Sequence, residues 1–142
     1  MRIVLLRSFN PFFQNSASAN RIRSLIEGLS SLNVDIEILI TDGYSTKTEA
    51  DKMGRKGHFK GISYTYLTNF NNDNIWSRRL NRYVLQAFNR IFIRKKIKNT
   101  IKKDFDTIIW ASNELHNLKD LVYFKKKYKQ LKAFTELSEY LD

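Results

Sequence analysis

The chain has 142 residues, 42% of them hydrophobic and 13% aromatic, which suits one domain with a core and excludes a chain disordered by composition. It has no cysteine, so disulfides and cysteine-held metals are excluded, and no run approaches the ~18 apolar residues of a spanning helix. The net charge of +11 is uneven: residues 76–103 hold ten basic and no acidic side chains, against nine and seven in 1–75 and six and seven in 104–142. Such a field favours an anionic partner, whether a membrane surface, a nucleic acid or a phosphorylated ligand.

In chain order, "RIVLL" (2–6) is a continuous apolar run and predicts a strand covered on both faces. It begins the chain without a signal-peptide layout, so the expected location is the cytoplasm. Residues 19–32 place Ile22, Leu25, Ile26, Leu29 and Leu32 at helical spacing, with Ser16 or Ser18 as the cap. A second strand is expected at 34–41 and a third at 62–67, separated by an exposed loop (43–61) with at most one helical turn. A polar loop (68–74) and a long basic helix follow. Then come a fourth strand (105–112), a helix (114–129) with Leu115, Leu118, Val122 and Tyr123 inward, and a fifth strand (131–137). Strands alternating with helices predict an α/β fold: a Rossmann-like, mainly parallel twisted sheet with helices on both faces. Ligands in such sheets bind beyond the carboxyl ends of the strands, at the switch point. The apparent last strand has no closing helix, so a longer polypeptide is expected.

The loop between the first strand and the first helix, "SFNPFFQNSASAN" (8–20), is the most informative stretch. A dinucleotide-binding loop needs G-x-G-x-x-G so that backbone can approach a pyrophosphate, and this loop has no glycine. Asp42, at the end of the second strand, stands where a ribose-binding acid would stand, but the first loop argues against that use. Ser16, Ala17 and Ser18 are small enough to let a ligand approach the helix N-terminus, where free N–H groups favour an anion or a hydroxyl. Asn10, Gln14 and Asn15 both donate and accept, which suits a hydroxyl-rich ligand better than phosphate. Arg21 and Arg23 lie in the first turns, and Pro11, Phe12 and Phe13 stiffen the loop or line an apolar edge.

Residues 1–41 resemble the start of the N-terminal domain of family-4-like glycosyltransferases with the GT-B fold. The likeness rests on a strand, a loop with a proline and small residues, and the helix pattern R-x-x-x-L-x-x-x-L, matched by Arg21, Leu25 and Leu29. It continues with Ile36, Ile38 and Thr41 on the second strand, "FDTIIWAS" at the fourth and "FTELSEY" at the fifth. Asn33 replaces a family glycine, and the first loop lacks the usual glycines. Many members carry a histidine just after the fourth strand; here Ser112 and Asn113 stand there and His116 follows, the candidate catalytic residue. The resemblance implies that residues 1–142 are the acceptor-side, N-terminal half of a GT-B enzyme. Asn10, Asn15, Ser16, Ala17, Ser18, Arg21 and Asn113 are the acceptor-binding candidates. It implies a glycan or lipid-linked sugar acceptor, no cofactor in this half, and a nucleotide-sugar donor held by a C-terminal domain absent from this chain. The whole enzyme would serve bacterial surface-glycan assembly, and this half alone would be inactive.

In the basic stretch, Trp76, Leu80, Val84, Ala87, Phe88 and Ile91 fall on one face expected to pack on the sheet. A second apolar line, Ile93, Ile97 and Ile101, is flanked by cations and reads as an interfacial segment. Arg78, Arg79, Arg82, Arg94, Lys95 and Lys96 are the candidates for binding an anionic membrane. Nucleic acid is less favoured, because the interleaved aromatics have core-like spacing and no nucleic-acid motif is present. A non-enzymatic basic α/β module for membrane or nucleic acid, and a small flavodoxin-like nucleotide binder, are the alternatives. His58 and His116 lack metal-ligand spacing, and His58 falls in an expected mobile loop. Glu114 suits the first turn of its helix, and Glu136 and Glu139 stand near the chain end.

Overall fold

A computed structural model of the chain describes residues 1–68, 74–80, 86–103, 107–112 and 114–135. The opening apolar run forms β1 (Arg2–Arg7), and alternation sends its side chains to two cores. Val4 and Leu6 face one, Ile3 and Leu5 the other. α1 (Ala17–Ser31) starts at Ser16, whose Oγ accepts from the Ala19 amide at 3.1 Å, and it buries Ile22 and Ile26. β2 (Asp35–Ile40) follows, then α2 (Lys47–Met53), β3 (Lys56–Phe59) and β4 (Ile62–Tyr66). The basic stretch forms α3 (Ile75–Leu80) and α4 (Gln86–Lys103), after which come β5 (Thr107–Ala111), α5 (Leu115–Lys127) and β6 (Lys132–Thr135).

The six strands form one sheet in the order β3-β4-β2-β1-β5-β6. Every neighbouring pair is parallel except β3 with β4. The five parallel strands therefore follow the Rossmann-like order, with β3 added at one edge. α1 covers one face, over Ile3, Leu5, Ile36, Ile38, Ile40 and Tyr64. α4 and α5 cover the other, over Val4, Leu6, Leu39, Ile109 and Ala111. Each fully buried Ile or Leu contributes roughly 1.5–3 kcal/mol, so both cores hold the helices against the sheet.

The structure corrects the sequence reading in three places. First, residues 43–61 are not a loop. Thr46 caps α2 by accepting from the Glu49 amide at 3.1 Å. β3 is the first arm of a hairpin whose two-residue turn, Lys60 and Gly61, has positive φ at both positions (50° and 82°), as a type I′ turn requires. Gly57 in β3 lies under the Tyr64 ring: a Cβ there would stand 2.3 Å from the Tyr64 hydroxyl. His58 lies on this strand, exposed, rather than in a loop.

Second, the phase of α4 is the reverse of expectation. Ile93 and Ile97 are buried in the core, while Ile91 is exposed, as are Trp76 and Leu80 of α3. Val84 lies outside the described residues, and the side chains of Ala87, Phe88 and Ile101 lie outside the described ones. Third, α5 buries Leu121 and Phe124 together with Asn117 and Asp120, and leaves Val122 exposed and Tyr123 at the surface. The reason is electrostatic. Asp120 accepts from Arg94 Nε at 2.9 Å and lies 3.8 Å from Arg90 Nη2, so α4 and α5 meet through a carboxylate that an apolar-face reading places outside.

Candidate functional site

Four parallel strands, β1, β2, β4 and β5, deliver their carboxyl ends to one side of the sheet, and the ladders continue one residue beyond β2, β4 and β5. The Thr41 amide bonds the Arg7 carbonyl at 2.8 Å, the Ser112 amide the Leu6 carbonyl at 3.0 Å, and the Leu67 amide the Ile40 carbonyl at 2.9 Å. Thr41 and Ser112 are thereby fixed on either side of β1. The switch point lies between β1 and β5, because the chain first builds outward through β2 and β4 and then returns to β5.

The first turn of α5 closes over this edge. Ser8 Oγ donates to Glu114 Oε1 at 2.6 Å, and Asn117 Nδ2 donates to Ser112 Oγ at 2.7 Å. The other acceptors of these side chains, Glu114 Oε2 and Asn117 Oδ1, are buried and have no partner among the described residues. On the β2 side, His116 Nε2 lies 3.1 Å from Asp42 Oδ1 and 3.3 Å from Thr41 Oγ1. Thr41 Oγ1 is also 3.2 Å from the Arg7 carbonyl and from Asp42 Oδ1. Donation from His116 Nε2–H to Asp42 leaves Nδ1 as the basic nitrogen of the neutral ring. Burial pulls the His116 pKa down, but the Asp42 hydrogen bond and charge, aided by Glu114 and Asp120, raise it above 6.5.

The first loop is anchored from below. Asn10 is fully buried: Nδ2 donates to the Tyr66 hydroxyl at 2.8 Å, and Oδ1 accepts from the Phe12 amide at 2.9 Å. Tyr66 in turn donates to Glu49 Oε1 at 2.5 Å, and Glu49 Oε2 accepts from Ser45 N at 2.7 Å and Ser45 Oγ at 2.6 Å. Gln14 Nε2 donates to the same Ser45 hydroxyl at 3.0 Å. Desolvation and the Glu49 carboxylate keep Tyr66 protonated by raising its pKa. Phe12 stacks on Phe59 of β3 with centroids 4.5 Å apart. Asn10 and Gln14 thus hold the loop.

Of the other sequence candidates, Asn15, Ser16, Ala17 and Ser18 are exposed around the start of α1. Ser16 is engaged as the cap, and Asn15 Oδ1 accepts weakly from Arg23 at 3.4 Å. Arg21 is exposed on the second turn of α1. Asn113, Arg82, Glu136 and Glu139 lie outside the described residues, and the Arg78 side chain lies outside the described ones. Arg94 is held by Asp120 and lies 4.2 Å over the Tyr123 ring. Lys96 is half-buried, and desolvation lowers its pKa. Arg79 and Lys95 are exposed. Sequence reasoning missed Ser8, Thr41 and Asn117 in the crevice and Tyr66 and Glu49 beneath it. Only Glu49 carried a local signal, the T-x-x-E spacing from Thr46 that marks a helix start.

Among the described residues no three His, Asp or Glu side chains come together as a metal would need. The crevice therefore offers hydroxyls, two carboxylates, a carboxamide oxygen and an imidazole. These oxygens can accept from a ligand rich in O–H donors, and the buried Arg7 at the end of β1 adds a cation beside them. No protein-family model and no curated protein matches the chain.

Proposed function

We propose that this chain is the acceptor-side domain of a glycosyltransferase. The whole enzyme would move a sugar from a nucleotide-sugar donor, bound by a second domain, to a hydroxyl of a glycan or lipid-linked acceptor. The observation that carries this reading is the crevice at the β1/β5 switch point. There Glu114 Oε2 and Asn117 Oδ1 are buried acceptors with no donor among the described residues, beside a His116 whose Nε2 is engaged by Asp42. Leaving such groups unpaired costs about 1–3 kcal/mol each, and sugar hydroxyls are donors that would satisfy them once the Glu114 and Asn117 side chains turn toward the ligand. The glycine-free first loop and the two nearby carboxylates support a hydroxyl ligand over a dinucleotide. The family-like pattern over residues 1–41 supports the same reading.

In transfer, the acceptor oxygen attacks the anomeric carbon, the bond to the nucleoside diphosphate breaks, and the acceptor proton leaves to a base. Glu114 Oε2 and His116 Nδ1 are the groups of this chain suited to hold that proton. A lipid-linked acceptor would place the enzyme at the inner face of the cytoplasmic membrane.

The test uses the two histidines as reporters. The chain is titrated with short oligosaccharides and with polyprenyl-phosphate-linked sugars while the imidazole NMR signals are followed. His116 is expected to shift and exposed His58, on β3, to stay. Neither signal moving with any sugar, or both moving alike, contradicts the reading.

A further inference from the structure

α4 is apolar on two sides, and such a helix needs two things to lie against. The sheet covers Ile93 and Ile97. On the outer side Ile91 is 67% and Phe92 69% exposed. With Lys95 they fall within about 100° of helical arc, one continuous stripe. α3 shows the same mixture. Trp76 is 78% exposed, and the Arg79 guanidinium lies 5.8 Å over its ring. Ile75 and Leu80 are exposed beside them. No acidic residue occurs between 76 and 103, and of its ten cations Arg90 and Arg94 are held by Asp120 of α5.

The chemistry of the missing partner follows from the mixture. Nucleic acid would satisfy the cations and leave Ile91 and Phe92 in water. A second copy of this face would bring like charges together. A layer of anionic headgroups over acyl chains meets both needs: phosphates for the cations, the acyl boundary for the apolar side chains, and an interfacial position for Trp76. No described helix is long and apolar enough to cross a membrane, so the contact would lie on the surface. We propose that the exposed side chains of α3 and the outward face of α4 dock this protein on an anionic lipid bilayer through Trp76, Ile91 and Phe92, with Arg79 and Lys95 on the headgroups. The proposal stands apart from the transferase reading, since vesicle binding reports the surface and sugar transfer reports the enzyme.

Flotation of the chain with phosphatidylglycerol or phosphatidylcholine vesicles, at about 0.15 M salt, tests it. Binding is expected to phosphatidylglycerol only. Phe92→Ser and Trp76→Ser should each weaken partitioning about tenfold, and Lys95→Glu about tenfold or more, with unchanged far-UV circular dichroism. Lys52→Glu on α2, equally a charge reversal, should leave binding unchanged. The proposal is overturned if the chain does not float with phosphatidylglycerol, or if Phe92→Ser floats like the parent. It is also overturned if the parent is a dimer that Phe92→Ser makes monomeric, or if it binds single-stranded RNA but no vesicle.

Discussion

His116 Nε2 lies 3.1 Å from Asp42 Oδ1, so the first turn of α5 is tied to the end of β2 across β1. Because the pair raises the His116 pKa above its ordinary 6.5, its stabilisation is full below that value and fades as pH rises through the folded one. Asp42 is 45% exposed, and solvent screening holds the contribution to about 1 kcal/mol or less. Asp42→Asn is therefore expected to lose stability at about pH 5.5 and little at about pH 8.5, read from urea unfolding at the two pH values. An equal loss at both would mean that the pair is not charge-coupled.

The buried Tyr66–Glu49 bond makes a larger prediction. Tyr66→Phe removes a donor from a buried carboxylate and an acceptor from Asn10. The expected cost is about 2 kcal/mol, with Glu49→Ala at about 3 kcal/mol because Ser45 and Tyr66 are left unpaired together. Their double mutant should cost less than the sum, since the two share one network. Additive losses would show that the network does not act as a unit.

Arg94 and Lys95 are neighbours in sequence with different work. Asp120 is 3% exposed and meets both Arg90 and Arg94, so Asp120→Ala should destabilise by about 2 kcal/mol, reduced from a fully buried pair by the partial exposure of the arginines. Lys95→Ala should fall within about 0.5 kcal/mol of the parent. Chemical denaturation of the two variants separates a clamp between helices from a surface charge.

The phase of α4 gives a sharper contrast within one helix. Ile97→Ala opens the core beneath it and should cost about 3 kcal/mol, whereas Ile91→Ala should cost less than about 0.5 kcal/mol. Thermal midpoints that fall equally for both would place the wrong face on the sheet.

These contrasts show where the sequence was legible. β1 was readable as a continuous apolar run, β2 as an alternation that turns apolar, and β4 and β5 as short stretches rich in β-branched and aromatic residues. The α1 cap was readable because Ser16 stands just before the apolar period. β3 was not, since "KGHF" has a single large apolar residue and gains its order from β4, the Lys60–Gly61 turn and the Phe12–Phe59 stack. The phase of α4 was ambiguous because Ile91 and Ile97 each belong to a plausible stripe, and the choice is made by Asp120 on another helix. The same holds at the crevice. Asp42 and His116 each drew notice, but their meeting depends on α5 reaching past β1, which no spacing within the chain encodes. Asn10 showed the opposite failure: its chemistry suits a ligand, and folding spends it on Tyr66.

The central claim is tested most directly by sugar transfer in the full product of the gene, followed as acceptor-dependent release of nucleoside diphosphate from nucleotide sugars. The account predicts transfer with a glycan or lipid-linked acceptor. It also predicts that Glu114→Gln lowers kcat by about 100-fold while leaving donor affinity unchanged. Full activity in Glu114→Gln, or a gene with no nucleotide-sugar-binding domain joined to this one, would contradict it.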